Sequence, residues 1–137
     1  MSQSSTSSET SSELESFEAP DSSAAQVYTF ETDELTALCP FDFGGPDYYK
    51  FTLRYIPAKN CIESKSLKKF LESYREVEIT AEELGAEMYD AIHTVISPKK
   101  MYLRLEQARR GGIEETVEFG STKLKQEGEN LPLSNND

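Results

Sequence analysis

A cysteine framed by prolines and glycines is the first place where this sequence could do chemistry. The run Cys39-Pro-Phe-Asp-Phe-Gly-Gly-Pro-Asp47 holds two prolines and two glycines, which exclude helix and central strand alike and mark a loop. Such a loop can present a thiol to a pocket. A neighbouring carboxyl, Asp42 or Asp47, can hand a proton to whatever the thiolate attacks. The same spacing also fits a small buried thiol before a turn, so residue types alone leave both readings open. A second candidate is Glu63-Ser-Lys-Ser-Leu-Lys-Lys-Phe70. Here Ser64 and Ser66 stand where they could cap a following helix, and Lys65, Lys68 and Lys69 suit a phosphorylated cofactor or a plain solvated face. Arg109-Arg110 before Gly111-Gly112 has the same two readings, a phosphate contact or a surface hairpin. Cys61 fits a buried thiol near the helix start.

The elements that must position these residues follow from hydrophobic period. Val27, Thr29 and Glu31 alternate with Tyr28, Phe30 and Thr32, predicting a short strand ahead of the cysteine loop. After it, Tyr49, Phe51, Leu53 and Tyr55 alternate with Lys50, Thr52 and Arg54, an amphipathic strand ended by Pro57. Leu67, Phe70, Leu71 and Tyr74 recur at helical spacing. Thr80 with Glu83 is a capping box that opens a second helix, with Leu84, Met88, Ala91, Ile92 and Val95 on one stripe and Pro98 beyond its end. Met101, Leu103 and Leu105 give a third strand, the Arg-Arg-Gly-Gly run a turn, and Val117 with Phe119 a short fourth strand. The order ββααββ describes an α+β unit, an antiparallel sheet with two helices on one face. Its core is small, so copies are expected to assemble side by side into a homo-oligomer.

Charge divides the 137 residues into three parts. Of the net charge of -11, residues 1–25 carry -5, residues 26–113 carry -2 and residues 114–137 carry -4. Residues 1–25 are rich in Ser and Glu and read as a disordered tail that could be removed with little loss of stability. Residues 26–120 are the expected domain, and 121–137 a polar C-terminal tail. No apolar run approaches a membrane span, and the first residues lack the pattern of a secretory leader. Two cysteines make no disulfide framework, which points to a cytoplasmic setting. One histidine and two cysteines cannot supply a four-ligand zinc site without carboxylates, so no metal is expected. An isoelectric point near 4.6 repels a phosphate backbone.

The segments LCP…GPD, ESKSLKKF and RRGGI, in this order and spacing, resemble the single-module 7-cyano-7-deazaguanine reductases, the QueF family of the tunnelling fold, over roughly residues 27–120. ESKSLKKF matches the family pattern E-[SL]-K-[SA]-x-K-[LY]-[YFW] everywhere except Lys69, where Leu or Tyr is usual. The resemblance implies reduction of a nitrile on a deazaguanine base to a primary amine with two NADPH. It casts Cys39 as a nucleophile that forms a thioimide and Asp47 as the acid. Glu63, Ser64 and Glu82 would contact the base, and Lys65, Ser66, Lys68 and Arg110 the NADPH. Two features depart from the pattern. Ala81 stands where the family usually has His, and the cysteine loop is one residue longer, with Asp42 where Thr or Ser is common. The lone histidine, His93, is expected to lie outside the site. An alternative is the related QueF-like amidinotransferases, which act on the nitrile already placed in nucleic acid. A third is a non-catalytic binding homologue.

Overall fold

Period-two alternation decides which face of the sheet is covered. In the computed structural model, which describes residues 14–41 and 45–125 (the Arg110 side chain excepted), Tyr49, Phe51, Leu53 and Tyr55 are each at most 2% exposed. They lie on strand β3, Pro46–Ile56. Their neighbours Met101, Leu103 and Leu105 on β5, Lys100–Arg110, are buried beside them through the pairs Tyr55↔Met101, Leu53↔Leu103 and Phe51↔Leu105. Strand β2, Tyr28–Leu38, pairs with β3, and β6, Ile113–Gly120, with β5. The result is a four-stranded antiparallel sheet in the order β2-β3-β5-β6.

Two helices cover the apolar face. Helix α1, Ser64–Glu72, buries Leu67, Phe70 and Leu71, and helix α2, Ala81–Ile96, buries Leu84, Met88, Ile92 and Ile96 in the same core. Thr80 caps α2 by accepting the N–H of Glu83 at 3.1 Å, as the capping box predicts. Ser97 ends α2 in the left-handed region. The β5–β6 turn is Gly111-Gly112, both with positive φ (58° and 86°), the requirement of a two-residue hairpin whose twist suits the strands.

Three expectations change. The strands are longer than their apolar alternation: β2 runs on through the polar Thr32-Asp33-Glu34 to Leu38, and β3 begins at Pro46, inside the expected loop. Proline is admissible there because a strand's first residue can lack a ladder donor. Two short strands are added, β1, Ser16–Glu18, and β4, Asn60–Ile62, which pair as a separate ribbon. The assignment of residues 1–25 to a disordered tail is therefore corrected for 14–25. Leu14 is buried in the core, the Ala19 N–H donates to Lys59 O at 2.8 Å and the Glu63 N–H donates to Glu15 O at 2.9 Å. One buried leucine and a strand register outweigh a polar composition. At the other end a 3-10 turn, Thr122–Leu124, buries Leu124, so the packed chain passes residue 120. Residues 1–13 and 126–137, where the rest of the two tails was expected, lie outside the described residues.

Deleting residues 1–22 should lower the melting temperature, and Leu14→Ala alone should cost about 2–3 kcal/mol, the scale of a buried leucine truncation. Urea denaturation checks both. A deletion variant as stable as the full chain would show that the ribbon contributes nothing.

Candidate functional site

Cys39 follows directly on β2, and its position is set by backbone. The Leu38 N–H donates to Val77 O at 2.9 Å and the Ile79 N–H donates to Leu38 O at 3.0 Å, a parallel bridge between the end of β2 and the segment leading into α2. The thiol is thereby brought beside the start of α2. Its sulfur accepts the N–H of Phe41 at 3.4 Å. Asp47, the second residue of β3, pairs with Ala37 and is 3% exposed. It shares the core-facing side of the strand with Tyr49.

These residues open on a cleft of about 320 Å³ lined by Cys39, Pro40, Phe41, Asp47, Thr80, Ala81, Glu82, Gln107 and Glu115. That volume is at the small end for ligand pockets. Two of the lining residues, Gln107 and Glu115, are cross-strand partners, and the Gln107 Nε2 donates to the hydroxyl of its partner on the other side, Tyr49, at 3.3 Å. Burial, with the nearby Asp47, Glu115, Glu82 and Cys39, pushes the Tyr49 phenol far above its usual range, so it stays protonated. Ala81 is buried at the wall, and Glu82 stands in the first turn of α2 within hydrogen-bond reach of Glu115. Two carboxyls this close share a proton. Hydrogen bonding to Glu82, with some desolvation, raises Glu115 to about 7, while the same bond lowers Glu82. Gly85 makes this approach possible. A Cβ there would stand 2.3 Å from the Phe119 ring, and a longer side chain would lift α2 from β6.

The fold thus gathers three of the residues expected from sequence, Cys39, Asp47 and Glu82. The α1 motif lies elsewhere. Ser64 and Lys68 line a second groove of about 370 Å³, with Phe30, Glu31, Thr32, Glu34, Phe51, Leu67, Leu71, Glu72 and Arg75. Glu63, rather than either serine, caps α1: its carboxylate accepts the N–H groups of Ser66 at 2.7 Å and Lys65 at 3.0 Å. Those bonds hold its carboxyl below the usual range. Ser66 is buried, and its hydroxyl donates to Glu63 O at 2.8 Å while accepting the Glu15 N–H at 2.9 Å. Its hydroxyl is committed to the backbone of the subunit. Lys65 and Lys68 are exposed three residues apart, a spacing that puts both ammonium groups on one side of the helix. This donor set fits the phosphates of NADPH. Asp42 and the Arg110 side chain lie outside the described residues. Cys39 and Cys61 are free thiols, Cys61 buried, and exposed His93 stacks on Tyr89 away from the cleft. Glu115 and Gln107 complete the cleft without having been singled out in the sequence. The signal is present all the same: counting back by two from Phe119 and Val117 puts Glu115 on the inward face.

A four-stranded antiparallel sheet with two helices on one face and a cleft at its end is a tunnelling-fold domain. The fold matches the crystal structure of an archaeosine synthase QueF-Like in the apo form with a TM-score of 0.65 and 23% identity, over 73% of this chain and 96% of that one. The family model described as QueF-like protein matches residues 46–126. The chain is 38% identical over 112 residues to a protein of Halorhodospira halophila, covering 82% of this chain and 94% of that one. It is 42% identical over 92 residues to a protein of Chlorobium luteolum, covering 66% and 78%. Both are named NADPH-dependent 7-cyano-7-deazaguanine reductase. The chain belongs to the QueF-like family.

Ser66→Ala should destabilise the fold by about 1 kcal/mol, because it removes both the acceptor of the Glu15 N–H and the donor to Glu63 O. Chemical denaturation measures this, and unchanged stability would remove the brace from the account.

Proposed function

We propose that this chain is an oxidoreductase that converts the nitrile of 7-cyano-7-deazaguanine to the aminomethyl group, with NADPH as reductant, in 7-deazaguanine (queuosine-type) biosynthesis. The convergence of Cys39, Asp47 and Glu82 on one cleft, in a family whose relatives bear that name, carries the reading. Cys39 is the nucleophile: its thiolate forms a bond to the nitrile carbon, one C–N π pair moves onto nitrogen, and Asp47 protonates that nitrogen to leave a thioimide. Glu82 accepts hydrogen bonds from the ring N–H and amino group and so rejects bases that lack them. When bound, NADPH supplies the reducing equivalents, and Lys65, Lys68 and Arg110 would hold it. In this reading Ser66 contributes by fixing the start of α1 rather than by touching the cofactor.

The two grooves favour a homo-oligomer. Edge strands β2 and β6 carry outward backbone groups that a second copy can pair with, and side-by-side assembly would bring Glu63 and Ser64 of one copy towards the cleft of the next. The cytoplasm, where thiols stay reduced, suits a chain that needs Cys39 free. No helix among the described residues is long and apolar enough to cross a membrane.

Purified protein given 7-cyano-7-deazaguanine should oxidise NADPH in a base-dependent way and gain the mass of the base. Cys39→Ala should lose both signals, and Lys68→Ala should raise KM for NADPH several-fold with the adduct intact. An adduct on Cys39→Ala would sink the nucleophile assignment. An adduct without NADPH oxidation in wild type would replace the reductase with the amidine-forming reading, and neither signal would leave a binding homologue. Light scattering on the full chain tests the assembly, and a monomer at all concentrations would refute it.

A further inference from the structure

Glu115 belongs to the substrate cleft, yet the reaction as set out above assigns it no part. We propose that Glu115 is a specificity-determining residue: its carboxyl, beside Glu82, donates a hydrogen bond to the ring carbonyl oxygen of the base while Glu82 takes the two ring donors. This rests on the deazaguanine reading and extends it. The edge of a guanine-type base presents one acceptor, the carbonyl oxygen, next to two donors, the ring N–H and the amino group. A carboxylate answers the donors and leaves the acceptor unmatched, and a buried polar group left unmatched costs affinity. No lysine, arginine or histidine is among the described residues lining the cleft. The Gln107 amide gives one of its two N–H groups to the Tyr49 hydroxyl. The protonated carboxyl of Glu115 lies beside Glu82, and once the ring donors occupy Glu82 its proton turns from Glu82 to the carbonyl oxygen; the cross-strand pair Gln107↔Glu115 keeps it on the inward face of β6.

The surroundings keep that proton in place. Glu82 faces Glu115 from α2, Asp47 and Tyr49 from β3, Cys39 from the end of β2, and Gln107 from β5. The Arg109 guanidinium pairs instead with Glu114 at 3.3 Å, on the opposite side of the β6 alternation. Hydrogen-bonded to Glu82, partly desolvated and facing its charge, Glu115 holds its proton up to about pH 7. As pH rises through that value it becomes an anion facing the carbonyl oxygen, and base affinity falls.

The test is calorimetric titration of the full chain with 7-deazaguanine, which lacks the nitrile and cannot form the adduct, at pH 6 and pH 8. Wild type should bind several-fold more weakly at pH 8. Glu115→Gln, whose amide donates at either pH, should lose that dependence, and Glu115→Leu should bind roughly tenfold more weakly at pH 6, with melting curves showing each variant folded. Glu115→Leu binding like wild type, or Glu115→Gln keeping the wild-type pH dependence, overturns this inference alone. A wild type that binds no deazaguanine at either pH overturns the underlying reading and the inference with it. The two failures are thereby distinguished.

Discussion

Two backbone hydrogen bonds hold the chemistry of this protein in place. The bridge between Leu38 and the segment Val77–Ile79 is the only parallel pairing among the described strands and bridges, and it joins elements forty residues apart in sequence. Without it, β2 would end as a free edge strand and Cys39 would ride on a loop anchored only from β3. With it, the thiol, the first turn of α2 and the sheet end share one frame. Because the bonds are main chain to main chain, the arrangement tolerates side-chain change at Val77 and Glu78, provided the backbone path is kept. Geometry of this kind lets a site sit at the end of a small sheet without a large core beneath it.

How legible the fold was depended on whether a residue's burial follows from its own neighbours in sequence. β3, β5 and α2 bury alternate or helically spaced side chains, and their patterns are strong enough to be read directly. β1 is different: Leu14 lies among serines and glutamates, and only its contact with a core assembled from distant residues makes it an anchor. The extension of β2 through Asp33 and Glu34 is hidden for a related reason, since an edge strand keeps polar side chains on its open face. In the cleft, Cys39, Asp47 and Glu82 could be named from the resemblance to the QueF family. Glu115 could have been reached by counting alternate residues in β6, but a glutamate in a Glu-rich hairpin carries no mark of its own. The local duties of Glu63 and Ser66 could not be read, because they depend on where the chain at residue 15 returns.

In the proposed function the cleft takes the base, and the side of α1 that carries Lys65 and Lys68 takes the phosphates. The cleft is lined by acids and a thiol, whereas the α1 groove mixes Lys68 and Arg75 with Glu31, Glu34 and Glu72. Gly85 has a part in keeping the cleft intact, since the helix approaches β6 closely enough there to bring Glu82 within reach of Glu115.

The acidity of the cleft lining also bears on how a turnover ends. Under the reductase reading the entering nitrile is uncharged, and the departing aminomethyl group is an ammonium ion at neutral pH. In that reading Asp47 is the carboxyl at this group, and the attraction is stronger in a partly desolvated cleft than in water. The surface that admits the substrate therefore grips the product harder. Accumulated amine then competes with fresh nitrile for the same cleft.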